Sequence, residues 1–362
     1  MNISLAHKIE LRPNNIQKGY FARACGTARF VWNWGLSEWK RQYEEGLKPS
    51  GLGLKKEFNA IKKEQFPWVF EVLRDANSQP FSNLQKAFIG FFKGVSKYPT
   101  FKKKGISDSF YIANDKFRIE EKKIHIPKLG WVRMTECLAY SGKILSATVS
   151  RTAGKWFVSL NVQMDITPAT CKNQAVAGVD LGVKNLATLS TGEVIEGPKA
   201  LRKMQKKLKR LQQSLSRKKK GSKNREKQKR KVARLHYRIS CIRLNALHKL
   251  TSKLARNYSV IVIEDLNVRG MMSNDKLAKV ISDMGFHEFR RQLGYKSPIA
   301  GAHVIIADRW FPSSKRCSSC GEKHQGLTLS DRTFVCPACS FKIDRDINAA
   351  KNLEMYPELM AA

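Results

Sequence analysis

The chain has 362 residues and a strongly basic composition, with 67 Lys and Arg against 30 Asp and Glu and a formal net charge of +37. Such an imbalance is typical of proteins that bind a polyanion, most often nucleic acid. No apolar run approaches the roughly 20 residues of a membrane-spanning helix, and the first residues lack the pattern of a signal peptide. The composition therefore argues against a membrane protein and predicts a cytosolic protein that binds nucleic acid.

The first 170 residues predict a helical block beside a β domain. Residues 2–12 alternate apolar and polar and predict an edge strand, whereas apolar and aromatic positions of 15–101 recur at helical spacing. Short alternating segments with turn signals then run from 107 to 166 and predict an antiparallel β domain. We expect strand 2–12 to complete this domain, so that the helices form an insertion in a barrel. A linker is predicted at 167–173.

The second half begins with a predicted three-strand meander, and Asp180 lies at the end of its first strand. Two helices follow, and the basic run 217–225 lies at the turn between them. A buried strand then ends in Glu264, and helices, a further strand and a final helix from about Asp346 complete the chain. This order predicts a mixed domain in which acids lie at the ends of separate elements.

Two Cys-x2-Cys pairs separated by 15 residues precede the last helix. This spacing is typical of a zinc site with four thiolate ligands, and four such ligands close the coordination sphere of a structural ion. Gly321 and Ser340 follow the second cysteine of each pair, where a small residue suits a tight turn. The alternative is four reduced thiols in a small lobe. The predicted Zn²⁺ ligands are Cys317, Cys320, Cys336 and Cys339.

Three acids stand at the ends of predicted elements: Asp180, Glu264 and Asp346. Each has a structural alternative, because Asp180 could open a turn, Glu264 could be an exposed strand end, and Asp344 or Asp346 could cap the last helix. Together they match a ribonuclease H-like arrangement, with acids on the first and fourth strands and on the final helix. Clustered carboxylates repel one another unless cations neutralise them, and two Mg²⁺ ions would do so while binding a phosphodiester.

Several segments, taken in order, resemble the TnpB proteins of insertion sequences, the transposon-encoded relatives of type V CRISPR effector nucleases. They are the residues around Asp180, the segment Ile263–Asn267, the segment Asp308–Lys315, the start of the cysteine segment, and Asp344–Ala350. The resemblance covers roughly 175–353 with specific motifs, and the N-terminal half less specifically.

The resemblance implies an RNA-guided, Mg²⁺-dependent DNA endonuclease whose catalytic acids are Asp180, Glu264 and Asp346. Asp344 competes for the third position, and Asp346 is preferred because it precedes the Asn-Ala-Ala segment by the family's spacing. The implied partners are a guide RNA derived from the transposon end and a double-stranded DNA target beside a short flanking motif. A monomer per guide RNA, in the cytoplasm of a prokaryote and associated with the nucleoid, is also implied.

The expected fold class is α+β and multidomain. It combines a ribonuclease H-like (RuvC) nuclease domain carrying an inserted zinc ribbon with a β-barrel wedge domain carrying a helical recognition insertion. The expected boundaries are 1–13 and 106–170 for the wedge domain, 14–105 for the recognition domain, 174–316 and 340–362 for the nuclease domain, and 317–339 for the zinc ribbon, which would be a lobe that binds the target nucleic acid.

Contacts to nucleic acid are expected from the basic runs and from one amide, which lies where the family places a residue that reads the flanking motif. Amides suit adenine edges, and cationic side chains suit phosphates. The alternative for the basic residues is a solvated helix face, and the alternative for Gln79 is a solvated or capping glutamine. The candidates are Gln79, Lys102, Lys103, Lys104, Lys218, Lys219, Lys220, Arg290 and Arg291.

Three other functions stay open at this point. A nuclease-inactive, guide-dependent DNA-binding protein would use the same domains without cutting. A zinc-ribbon RNA-binding protein without a guide would explain the charge and the zinc but not the three acids. A self-catalysed transposase would need a domain that recognises the transposon end, and none is evident in the sequence.

Overall fold

The computed structural model describes residues 2–167, 175–328 and 330–361. Within them the chain is a mixed α and β protein with three sheets, and it divides into two compact units, Met1–Asp165 and Ile166–Ala362. The linker predicted at 167–173 lies almost wholly outside the described residues. In the ranges that are described, no helix is both long and apolar enough to cross a membrane.

The first unit contains a seven-stranded antiparallel sheet with the order β2-β6-β7-β1-β5-β4-β3. Its strands are β1 (Asn2–Arg12), β2 (Ser109–Ala113), β3 (Arg118–Glu120), β4 (Lys123–Ile126), β5 (Gly130–Met134), β6 (Lys143–Thr152) and β7 (Lys155–Asp165).

The position of β1 differs from the expected edge strand. It pairs with β7 from Asn2 to Leu11 on one side, and with β5 through Leu11 and Arg12 on the other, so it lies inside the sheet. Alternation along a strand indicates that one face is buried, and it does not indicate how many neighbours the strand has. The edge-strand prediction was therefore wrong, although the strand does belong to the same sheet as residues 109–165.

One hydrophobic core serves this sheet, with buried residues such as Ile9, Ile112, Ile124 and Val158 drawn from widely separated strands. The recorded strand pairs end at β2 and β3, which do not pair with each other among the described residues. The sheet therefore surrounds a single core without the closed ladder of hydrogen bonds that the word barrel implies.

Three helices connect β1 to β2: α1 (Asn15–Glu44), α2 (Gly51–Gln65) and α3 (Asp75–Phe92). They share an aromatic core in which the rings of Trp39 and Phe88 stack with centroids 4.1 Å apart. The predicted helix extended to residue 101, but α3 ends at Phe92. Gly94 adopts a φ of +69°, which lets the chain turn back so that the N–H of Val95 donates to the carbonyl of Gly90.

The second unit contains a five-stranded sheet with the order β10-β9-β8-β11-β12. The first three strands form an antiparallel meander, whereas β11 runs parallel to both β8 and β12. The carboxyl ends of β8 and β11 therefore lie at the same edge of the sheet. The strands are β8 (Val176–Asp180), β9 (Ala187–Leu189), β10 (Val194–Ile195), β11 (Val260–Glu264) and β12 (His303–Ala307).

Helices fill the connections of this unit. The hairpin of α4 and α5 separates the meander from β11, as the sequence predicted, and its turn carries the basic run. After β12 a short two-stranded hairpin leads directly into the last helices. The elements are α4 (Ala200–Ser216), α5 (Lys223–Asn257), α6 (Val268–Met271), α7 (Asp275–Met284), α8 (Phe286–Ile299), β13 (Thr333–Val335), β14 (Lys342–Asp344), α9 (Arg345–Glu354) and α10 (Tyr356–Ala361).

Candidate functional site

Two of the predicted acids end neighbouring parallel strands. Val179 of β8 is the register partner of Ile263 of β11, so Asp180 and Glu264 are the next residues along each strand. The strands are continuous apolar runs because both faces of the sheet are covered, and each run stops at its acid. The sheet thus places these two carboxylates side by side at one edge.

The third acid comes to this edge because α9 packs unusually close to β8. A Cβ added at Gly178 would lie 1.8 Å from the carbonyl oxygen of Ala350 and 2.5 Å from the backbone nitrogen of Glu354. Only glycine permits that approach. Because α9 begins at Arg345, its first turn carries Asp346 to the end of β8 where Asp180 lies.

Electrostatics shows that the acids interact. Burial raises the pKa of Asp180 well above its ordinary value, and the negative charges of Glu264 and Asp346 raise it further. Burial also raises the pKa of Glu264, with a smaller contribution from the charge of Asp346. Among the described residues, the four cysteines described below are the one group of His, Cys, Asp or Glu side chains found close enough together to hold a metal ion, with sulfurs within 4.8 Å of one another.

The structure gives the two candidates for the third position different surroundings. Asp344 is exposed and caps α9, since its Oδ1 accepts hydrogen bonds from the backbone N–H groups of Asp346 (2.9 Å) and Ile347 (3.2 Å). Asp346 is half-buried, and its Oδ1 lies 3.6 Å from Nη2 of Arg345. The capping role proposed as an alternative thus belongs to Asp344.

Glu264 has a partner that the sequence did not indicate. The hydroxyl of Ser313, which is 3% exposed, donates to Oε1 of Glu264 at 2.5 Å. This hydrogen bond favours the ionised carboxylate and opposes the effect of burial on the pKa of Glu264. Ser313 lies in the motif Asp308–Lys315 that carries the family resemblance, but only the folded chain shows which of its residues reaches the acid.

The neighbouring Asp265 forms an ion-pair cluster of its own. Its two carboxylate oxygens accept from Arg290 (2.8 Å) and Arg309 (2.6 Å), and the two arginines lower the pKa of this acid. Arg291 binds both oxygens of Glu288 at 2.7 Å. Arg290 and Arg291, expected to contact nucleic acid, are therefore engaged with carboxylates of the protein in this structure.

The four predicted zinc ligands converge. The sulfurs of Cys317 and Cys339 are 3.8 Å apart, and those of Cys320 and Cys336 are 3.5 Å apart. Four sulfurs at about 2.3 Å from one tetrahedral ion would be separated by roughly 3.8 Å. Thiolate chemistry and spacing therefore both suit zinc. The β13–β14 hairpin spans the last two cysteines and ends at Asp344.

Tight turns prepare the cysteines, as the small residues beside them predicted. Gly321 has a φ of +81° and donates to the carbonyl of Cys317, whereas Ser340 has a φ of +59° and donates to the carbonyl of Cys336. The backbone N–H of Cys339 is the main cause that lowers the pKa of Cys336 to about 7. The pKa of its neighbour Cys320 is raised to about 12, because the lowering by a backbone hydrogen bond at Glu322 is outweighed by burial and by hydrogen bonds with the other three sulfurs. Ionised sulfur is the form that binds metal.

The remaining candidates for nucleic-acid contacts are in different environments. Gln79 of α3 is half-buried and donates to Asn83 at 3.2 Å. The Nζ of Lys102 lies 3.9 Å from the ring centroid of Trp32, and burial lowers its pKa. Lys218, at the α4–α5 turn, is half-buried. The exposed members are Lys102, Lys103, Lys104, Lys219 and Lys220.

Comparison with known families gives three matches along the chain. A family model described as a probable transposase, OrfB of IS605, matches residues 148–275, and a Cas12f1-like TNB domain matches 286–353. A third, described as a helix-turn-helix domain, matches 1–48. The structure of that last range is strand β1 followed by the single long helix α1, so the description does not fit the local fold.

Curated relatives extend over almost the whole chain. The Escherichia coli K12 protein named "Putative RNA-guided DNA endonuclease InsQ" is 35% identical over 370 residues, covering 96% of this chain and 91% of the relative. The chain belongs to the TnpB family. Another member, from Streptomyces pristinaespiralis and named "Putative RNA-guided DNA endonuclease", is 38% identical, with 97% of this chain and 89% of the relative covered.

Solved structures similar to this TnpB family member include a Cas12f1 complex with sgRNA and target DNA, determined by cryo-electron microscopy. It is 16% identical, covers 97% of this chain and 99% of its own, and gives a TM-score of 0.38. A likeness of that size carries no argument about the present site, which rests on the geometry above and on the family.

Proposed function

We propose that the protein is an RNA-guided DNA endonuclease encoded by an insertion sequence, which cuts guide-matched DNA beside a short flanking motif. The observation that carries the proposal is the convergence of Asp180, Glu264 and Asp346 at one edge of the sheet. Membership of the TnpB family and the net charge of +37 support RNA and DNA as partners. An intact set of acids argues against a protein that only binds DNA.

The strand order of the second unit supports a ribonuclease H-like assignment, in which these three acids hold Mg²⁺. Bound Mg²⁺ would neutralise the carboxylates, activate a water and stabilise the charge that develops on the phosphate. Asp180 and Glu264 are held rigid by adjacent strands, and Ser313 fixes one oxygen of Glu264. Asp346 enters from α9, so the site closes only when that helix is seated against Gly178.

The other parts of the chain would hold the nucleic acids. In this proposal the sheet of the first unit serves as the wedge domain and α1–α3 as the recognition domain, with Gln79 as a candidate for reading the flanking motif. The α4–α5 hairpin supports contacts to phosphates, because α4 has six Lys and Arg and no acid. The zinc ribbon would be a lobe for the target strand, with its ion purely structural.

The test begins with the RNA that copurifies with the protein. Sequencing should give one abundant structured RNA that ends in a variable segment. The complex is then incubated with Mg²⁺ and a linear duplex that matches the variable segment beside a library of flanking motifs. We expect cleavage by the wild type and by Glu196→Ala, whose side chain is 76% exposed, and none by Asp180→Ala.

Each outcome selects one function. Cleavage that survives Asp180→Ala overturns the assignment of the acids. Guide-dependent binding without cleavage by the wild type supports the nuclease-inactive alternative. A mixture of unrelated host RNAs supports an RNA-binding protein that uses no guide.

A further inference from the structure

The loop that leads from β12 to the first zinc ligand is fastened to α9 by two buried asparagines. Asn348 and Asn352 lie one turn apart on α9, and both side chains are 0% exposed. Their amides reach the backbone of Ser313, Arg316 and Ser318, so α9 carries both the acid Asp346 and the contacts that hold this loop.

Asn348 uses both ends of its amide. Its Nδ2 donates to the carbonyl of Arg316 at 2.7 Å, and its Oδ1 accepts from the backbone N–H of Ser318 at 3.0 Å. Asn352 acts only as a donor, since its Nδ2 reaches the carbonyls of Ser313 (2.7 Å) and Arg316 (2.6 Å). The Oδ1 of Asn352 is buried and has no hydrogen-bond partner among the described residues.

The unpaired oxygen of Asn352 indicates why an asparagine occupies this buried position. A buried polar atom without a partner destabilises the fold, and an apolar side chain at position 352 would avoid that cost. The two hydrogen bonds donated by Nδ2 therefore offset the penalty. They satisfy backbone carbonyls of a loop that would otherwise have buried acceptors and a less defined path.

The loop held by these asparagines has the acid cluster at one end and the cysteine cluster at the other. At one end, the hydroxyl of Ser313 donates to Glu264. At the other, Ser318 lies inside the first zinc turn, where the next backbone N–H, from Ser319, approaches the sulfur of Cys317 at 3.4 Å. Hydrogen bonds, joined through the backbone at Ser313 and between Ser318 and Ser319, thus link a carboxylate of the acid site through α9 to a sulfur of the cysteine cluster.

We propose that Asn348 and Asn352 are positioning residues that couple zinc binding by the four cysteines to divalent-cation binding by the acids. The inference rests on the proposed function only in taking Asp180, Glu264 and Asp346 as cation ligands. Zinc fixes the turn that contains Ser318, the asparagines transmit that position to α9, and Asp346 and Glu264 are then oriented together. Linkage requires the reverse effect, so a cation at the acids strengthens zinc retention by the same factor.

The first measurement is binding of Mn²⁺, used as a spectroscopic stand-in for Mg²⁺, to the zinc-loaded protein without RNA or DNA. Removing a residue that orients a metal ligand lowers metal affinity by about 10–100-fold. We expect at least about a tenfold loss for Asn352→Leu, which keeps the number of side-chain heavy atoms and the branch at Cγ and removes the donors. Asn245→Ala, on an exposed face of α5, is the matched control and should bind Mn²⁺ like the wild type.

The second measurement uses zinc itself. The rate at which zinc passes to a chromogenic chelator is compared with and without saturating Mg²⁺. In the wild type and in Asn245→Ala, Mg²⁺ should slow zinc release several-fold, whereas in Asn352→Leu it should have no effect. Ser313→Ala, which deletes only the hydroxyl next to Glu264, should bind zinc yet show a weaker Mg²⁺ effect, and it serves if Asn352→Leu does not fold.

The outcomes separate this inference from the proposed function. If Asp180→Asn binds Mn²⁺ as the wild type does, the acids are not cation ligands and the proposed function loses its site. If Mn²⁺ binding needs Asp180 but is unchanged in Asn352→Leu and Ser313→Ala, and Mg²⁺ still slows zinc release in both, the coupling is wrong while the nuclease proposal stands.

Discussion

The thiolate cluster and the acid cluster lie at the two ends of one short loop, yet they are built in opposite ways. The four cysteines come from a single stretch of chain, and two local turns at Gly321 and Ser340 aim the sulfurs. The acids come from β8, β11 and α9, and their approach depends on strand register and on the contact at Gly178.

The difference shows what each site tolerates. A site made from local turns depends on its own few residues, so a spacing pattern can reveal it. A site made at the edge of a sheet depends on packing far along the chain, and changes distant in sequence can disable it.

The largest effect is expected from replacing one acid of the acid cluster and one cysteine of the thiolate cluster. Asp346→Ala should abolish cutting, by on the order of 10³-fold or more because charge in the transition state loses its stabilisation, while binding of guide and target is kept. Cys320→Ser should lower both cleavage and DNA binding, because a structural zinc site contributes to folding. Cleavage rates and filter binding, measured on the same preparations with zinc content recorded, give the comparison.

A Cys320→Ser variant that cuts at the wild-type rate would show that the zinc lobe is dispensable. It would also break the contrast, because the acid site would then be independent of its neighbour.

The second prediction concerns Gly178. The substitution Gly178→Ala places a methyl group 1.8 Å from the carbonyl oxygen of Ala350, so α9 must shift. Overpacking of this kind destabilises by about 1–3 kcal/mol, and the shift should also weaken Mn²⁺ binding. Chemical denaturation and metal titration measure the two effects.

Gly294→Ala in α8 is the control, since nothing lies within 4 Å of its added Cβ. It should leave Mn²⁺ binding unchanged and stabilise the helix by up to about 1 kcal/mol. Equal metal affinities for both glycine variants would contradict the role given to the contact between β8 and α9.

The third prediction uses pH. Burial, with the charges of Glu264 and Asp346, raises the pKa of Asp180 well above 3.8, its ordinary value. A protonated Asp180 thus stabilises the metal-free fold below that ordinary value, and the contribution is lost as pH rises through the raised pKa. Asp180→Asn stays neutral at every pH. Its Tm should therefore match the wild type near pH 4 and exceed it at pH 8, by about 2–4 °C for each kcal/mol.

Adding Mg²⁺ at pH 8 should raise the Tm of the wild type and leave that of Asp180→Asn unchanged. A difference in Tm that shrinks with rising pH would mean that the acids do not repel one another in the folded protein.

The smallest effect belongs to the local turns. Ser340 has a φ of +59°, a left-handed conformation that is unfavourable by roughly 1–2 kcal/mol for residues other than glycine. Ser340→Gly removes that strain but adds freedom to the unfolded chain. We expect a net stabilisation of the zinc-bound turn by no more than about 1 kcal/mol, which corresponds to at most about a fivefold increase in zinc retention. Gly321→Ala should act in the opposite direction, and chelator-release rates compare the two.

The sequence predicts the details of the cysteine site better than those of the acid site, because the first depends on local turns and the second on contacts between distant residues. Local spacing of residues predicts the cysteine cluster, its turn residues and the α4–α5 hairpin, and the structure contains all three. The bond from Ser313 to Glu264, the amides of Asn348 and Asn352, and the close contact at Gly178 join residues distant in sequence. No periodic pattern in the sequence indicates such pairs. The internal position of β1 was also missed, because alternation of apolar and polar residues does not indicate how many neighbouring strands a strand has.

The long helix α5 belongs to two separate cores. Leu235 and Ile239 pack in the small cluster shared with α4, whereas Leu247, Leu250 and Leu254 join the main core beneath the sheet. Amide hydrogen exchange should therefore divide this helix, with fast exchange in its first half and strong protection in its second. The α4–α5 hairpin can then open by local unfolding while the core beneath the sheet stays folded. RNA bound to the hairpin would first be detected as increased amide protection in that hairpin.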